Sequence, residues 1–186
     1  MGIIEKQSPK YWNYFLALEA DVVNLSRYIE FTKDNFDAYS MEMAKIILSA
    51  ASEVDVIAKQ LCKILDNNKK PRTIGGYKNI LTENINDFSE TKVVINRYGL
   101  ELTPWINWKG KRNPNWWSDY NKIKHHRHDY FKRANLSNVL NAMAGLFVLV
   151  MFFHLNSTEY PSLKPNPALF DMPSLFFYAP DFWGDA

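Results

Sequence analysis

The chain has 186 residues, the size of one domain, and its 22 basic and 20 acidic side chains leave a formal net charge of +2. Such a length buries a core without metals or disulfides, and so balanced a charge excludes electrostatics of the whole surface as an argument for or against nucleic acid. A single cysteine, Cys62, excludes an internal disulfide and reads as a small core residue of a reducing, cytoplasmic environment.

The start, MGIIEKQSPKYW, has neither an apolar stretch nor a small-residue cleavage site, so no secretory signal is expected. Tyr11 to Phe31 carries apolar residues at three- and four-residue spacing behind Ser8-Pro9, which predicts a first helix. Ser40 then stands as the N-cap of a second helix reaching to about Asp66, with Glu53 close to its apolar stripe. Asn67 to Gly76 is a loop, and Tyr77 to Phe88 a shorter third helix. Thr91 to Thr103 reads as a β-hairpin or extended excursion. Pro104 to Trp117 holds four Trp, two Pro and a Gly, an irregular loop packed by aromatics.

From Asn115 to Leu155 the pattern predicts one long helix with a polar front and a buried back. Its front collects His125, His126 and His128 among Lys122, Lys124, Arg127, Lys132 and Arg133. On a straight helix Asn121, Lys124, His125, His128 and Lys132 share one face, whereas His125 and Arg127 point about 200° apart. The apolar run Ala142 to Phe153 has 12 residues, against roughly 20 for a bilayer span, so a core helix and no stable membrane association are expected. Over most of the segment beyond His154 the prolines exclude helix, yet Phe170, Phe176, Phe177, Tyr178, Phe182 and Trp183 make it rich enough in aromatics to dock on the domain or a partner.

The run Trp116-Trp117-x-x-Tyr120-Asn121-x-Ile123-Lys124-His125-x-Arg127, with Phe131 and Ala134-Asn135 behind it, resembles the HEPN superfamily, and more narrowly a bacterial HEPN-like group with a YNxxKHxR signature. The helix around Ala-Ala-Ser-Glu53 looks like the second helix of that fold, and the likeness covers about half the chain. It implies an all-α bundle of four to five helices over residues 1–158, to which the residues themselves add a small β-like insertion at about 90–114 and an irregular tail at 159–186. It also implies a homodimer that binds or cleaves RNA or nucleotides in stress or phage defence, without cofactor or metal and with any antitoxin partner left open. The catalytic HEPN pattern, however, places an Arg four to six residues before the His. Here Tyr120 stands in that place before His125, so the alternative is a non-catalytic dimerisation or interaction module.

Cleaving RNA without a metal takes a base, an acid and cations at the phosphate, for which His125, Lys124 and Arg127 are the candidates. Asn121, His128, Lys132 and Trp117 are the candidate binding residues, the Trp loop through stacking on unpaired bases. Glu53 is the expected structural partner of Arg127 or Lys124. A zinc site on His125 and His128 lacks the acidic residue of metalloprotease helices, and no metal is expected. The bland reading of the cluster is a solvated basic helix end, with His125 bonded to Glu53 or to a Trp-loop carbonyl.

Overall fold

Ser40 opens the longest element: its backbone is extended and its hydroxyl accepts the Met43 N–H at 3.1 Å, starting helix α2 (Met41–Leu65). In the computed structural model, which describes residues 9–157 and 163–174, it is preceded by α1 (Trp12–Leu25) and followed by α3 (Ile74–Asn84), strands β1 (Val93–Ile95) and β2 (Leu100–Leu102), α4 (Asn115–Tyr130) and α5 (Leu136–Asn156). The described residues form a helical bundle with one small sheet. α1 stops at Leu25, short of the expected Phe31, and turns cover the difference. α3 begins earlier than Tyr77 because the Thr73 hydroxyl caps the Gly76 N–H at 3.2 Å.

The two strands pair antiparallel, Val93 opposite Leu102 and Ile95 opposite Leu100, and close through a short 3-10 turn that ends on Gly99 at φ +60°. A glycine takes that left-handed conformation without steric cost. Val93, Ile95, Leu100 and Leu102 face the core while Glu101 faces out, the alternation of a half-buried hairpin.

α5 occupies the centre. Nearly all of its residues are buried, and it packs chiefly against α2, with α1 and α4 on its other sides. Among the described residues it is the one helix long and apolar enough to cross a membrane, with a mean hydropathy of 2.0, yet 89% of that window is covered by the fold itself. A helix apolar on every side must be enclosed, and here the same chain encloses it. No second subunit is needed to cover it. Gly145 allows the closest approach: a Cβ there would lie 2.8 Å from Cζ2 of Trp116.

The expected single helix from Asn115 to Leu155 is two helices. Residues 131–133 form a 3-10 turn, and Asn135 caps α5 by accepting the Asn138 N–H at 3.0 Å. The segment before α2 takes the backbone groups that a continuous helix would have used. Leu136 donates to the Ala38 carbonyl, Ser137 to that of Phe36, and Ser40 to that of Ala134. Tertiary pairing thus overrides a pattern that is helical on both sides of the break.

Residues 163–174 lie on the bundle. The Trp12 indole N–H donates to the Pro165 carbonyl at 3.2 Å, Asp171 exchanges backbone bonds with Val94, and Leu163, Leu169, Phe170 and Met172 are buried. The aromatics from Phe176 to Trp183 and the cap position Ser8 lie outside the described residues.

Candidate functional site

α4 carries the basic cluster and is not straight. At His126 the backbone leaves helical values, φ −140° and ψ 50°, so the 100° step fails beyond that point. The consequence is geometric. Lys124, His125, Arg127 and His128 all line one open groove of about 700 Å³, whereas a regular helix would send His125 and Arg127 to opposite sides. Met41 and Leu48 of α2, together with Ile123 and Phe131, give this groove an apolar floor. Met41 is 50% exposed there, and the rim residues are exposed as well.

The rim is lightly tethered. His128 Nε2 lies 3.2 Å from a carboxylate oxygen of its neighbour Asp129, and the Lys124 ammonium stands 5.7 Å from the centre of the Tyr120 ring. Among the described residues no hydrogen bond or ion pair holds the His125 ring or the Arg127 guanidinium. His125 is therefore bonded neither to Glu53 nor to a Trp-loop carbonyl. Lys132 lies around the corner with Arg133, Tyr39, Tyr130 and Asp37, in a second cleft of about 610 Å³ that shares His128 and Phe131 with the first. Asn121 is half-buried and spends an amide proton on the Trp117 carbonyl one turn back, at 2.9 Å.

Trp117 belongs to the interior. It is 8% exposed, with the Trp116 ring edge-on at 5.8 Å and Tyr120 at 5.2 Å. Trp105, Trp108 and Trp116 are buried too. Trp105 and Trp108 centre 4.3 Å apart, and the Trp116 indole donates to the Pro104 carbonyl at 2.8 Å. The loop's indoles fill core space against one another, Phe88 and Gly145 of α5, so they offer no open face on which a base could stack. Tyr120, at the position of the resemblance's arginine, is likewise buried.

Glu53 stands apart from the groove. Burial lifts its carboxyl above the ordinary range, and its charge is felt by Tyr11 at the start of α1, whose phenol is raised by burial first and by Glu53 second. Among the described residues Glu53 makes no ion pair, so the expected partnership with Arg127 or Lys124 is not formed. The reason is rotational: residue 53 turns toward α1, whereas Met41 and Leu48 of the same helix turn toward α4. Asp55 serves packing, accepting the Tyr77 hydroxyl at 2.7 Å and pairing with Lys59.

The acid that does organise this region is Asp119, which the sequence pattern did not single out. It is 8% exposed and accepts from Lys122 Nζ at 3.0 Å and from the Asn138 amide at 3.1 Å, with the Arg133 guanidinium 3.8 Å away. The signal available for it was its place between Trp116 and Ile123, three residues after the one and four before the other, on the core-facing side of α4. Among the described residues no group of three or more His, Cys, Asp or Glu side chains is placed to hold a metal ion.

What this arrangement offers is a concentration of positive charge over a partly apolar floor, with two imidazoles at its rim. No family model, curated protein or solved structure matches the chain.

Proposed function

We propose that the groove between α2 and α4 is a phosphate-binding surface for RNA or nucleotides, in a HEPN-like domain that acts as a dimer. One observation carries the reading: the break at His126 turns Lys124, His125, Arg127 and His128 to one open groove and leaves Arg127 with no acidic partner among the described residues. Unpaired cations around a concavity attract polyanions, and their field is focused by the low-dielectric floor. For cleavage, His125 is the group to take a proton from the ribose 2′-hydroxyl that attacks phosphorus, the Lys124 ammonium the group to protonate the 5′-oxygen as its bond to phosphorus breaks, and Arg127 the group to stabilise charge on the phosphate.

The non-catalytic reading has its own support, because a buried Tyr120 fills the position where the resemblance would place an arginine. The two readings part on one comparison. Purified protein is incubated with a structured RNA beside the His125→Ala variant. Loss of cleavage with an unchanged melting temperature supports catalysis. Binding without cleavage in both proteins leaves the surface as a binding module only, and absence of both retires the proposal.

A further inference from the structure

We infer that Asp119 is the positioning residue of the groove: through Asn138 it fixes the far half of α4, and with it Arg127 and His128, against α2. This rests on the groove being the binding surface. The need for such a residue follows from the backbone. A regular helix carries the position of one end to the other through its own hydrogen bonds, but α4 departs from helical geometry at His126. The segment beyond the break must be held from elsewhere, and it is held from its far end. Asn138, at the start of α5, gives one amide proton to Asp119 at 3.1 Å and the other to the Arg133 carbonyl at 2.9 Å, while its own N–H is capped by Asn135.

One side chain on α5 therefore ties the front of α4 to the turn that ends it. That turn begins with Phe131, which forms part of the groove floor and packs edge-on against Tyr39 at 5.4 Å. Asp119 also draws Lys122 and Arg133 toward a separate cleft of about 480 Å³, where Ser118 and Asp37 lie, and away from the groove. The carboxylate thereby leaves the groove rim to Lys124, Arg127 and the two imidazoles. Asp119 touches no ligand in this role. It acts through Asn138.

Three variants test this. Asp119→Ala removes the link, Asp119→Asn keeps an oxygen for the Asn138 amide but discards the charge, and Asn138→Ala removes the same link from the other side should the first variant fail to fold. Spin labels on cysteines introduced at Lys45 and Asp129 report the separation of α2 from the far half of α4, the native Cys62 being buried. The expected result is one narrow distance distribution in the parent and in Asp119→Asn, and a broadened or displaced one in Asp119→Ala and Asn138→Ala. Affinity for a single-stranded RNA 12-mer should fall about tenfold in the two alanine variants, the cost of one buried hydrogen bond, and recover in Asp119→Asn. Distances unchanged in both alanine variants overturn the inference, as does an Asp119→Asn protein as disordered as Asp119→Ala. If the parent binds no RNA, the function proposed above fails while the distances still decide the role of Asp119.

Discussion

The Glu19 carboxylate in α1 accepts the backbone N–H of Phe170 at 3.1 Å, a bond between positions 151 residues apart. The same carboxylate takes the N–H groups of Leu169 and Ala168, each at 2.9 Å, in a site where Glu19 is 2% exposed. One acid thus satisfies three donors of a segment whose prolines prevent it from bonding to itself. Replacing Glu19 by Ala strands those donors and should lower stability by about 3 kcal/mol, since bonds to a charged acceptor are the stronger kind. Urea denaturation measures the loss, and hydrogen exchange at residues 168–170 should quicken with it. A Glu19→Ala protein of parental stability would show that the segment is held by its apolar contacts alone.

His154 predicts an acid-side weakness. It is buried, its Nε2 lies 2.9 Å from the Lys10 carbonyl, and its pKa is lowered, by burial first, with that carbonyl acting in the opposite direction. The unfolded chain then binds the proton at a higher pH than the folded one does. Stability from a neutral His154 is fully present above the ordinary value of about 6.5 and is lost as pH falls through the lower folded value. Glu53, raised by burial, works in the opposite sense: its contribution is present below the ordinary carboxyl range and is lost as pH rises through the folded value. The difference in unfolding free energy between parent and His154→Leu, followed from pH 7.5 to pH 5, isolates the histidine. It should shrink as the pH falls, and a constant difference contradicts the assignment.

Cys62 is buried in α2, and burial pushes its thiol up to about 12. A thiol so rarely ionised and so enclosed is a poor nucleophile. Iodoacetamide should leave the native protein unlabelled while labelling it fully in denaturant; rapid labelling without denaturant would place Cys62 outside the core.

Gly145 is expected to resist the smallest enlargement. A methyl group there would meet Cζ2 of Trp116 at 2.8 Å and Cζ2 of Trp105 at 3.4 Å, both in buried rings with little room to retreat. Overpacking of this kind costs about 1–3 kcal/mol, so Gly145→Ala should unfold at lower urea with an unchanged slope. A gain in stability, as alanine gives in an exposed helix, would mean that α4 and α5 approach less closely than described.

Much of the bundle was legible because it rests on local signals. Ser40 before an apolar stripe, the alternation around Val93 to Leu102 and the apolar run of α5 each carry their own period. The break between α4 and α5 was less visible, since the bonds that stabilise it come from Phe36, Ala38 and Ser40, about a hundred residues earlier. Asn135 was its one local sign. The candidate site shows the same division. His125 and Lys124 stand out by residue type, but their grouping with Arg127 depends on a single non-helical residue, His126, that no periodicity announces. Trp117 and Glu53 illustrate the converse: aromatic and acidic residues near a basic cluster suggest a site, and tertiary packing assigns them to the Trp cluster and to the start of α1.

The most direct measurement for the groove is the salt dependence of RNA affinity in the parent and in a Lys124→Ala, Arg127→Ala double variant. For a single strand the slope of log affinity against log salt changes by about 0.7 for each phosphate contact, so the double variant should lose about 1.4 from it. The account predicts affinity falling steeply between about 50 and 200 mM salt in the parent, with that flatter slope in the variant. A parent whose RNA affinity does not respond to salt, or a variant with the parental slope, contradicts it.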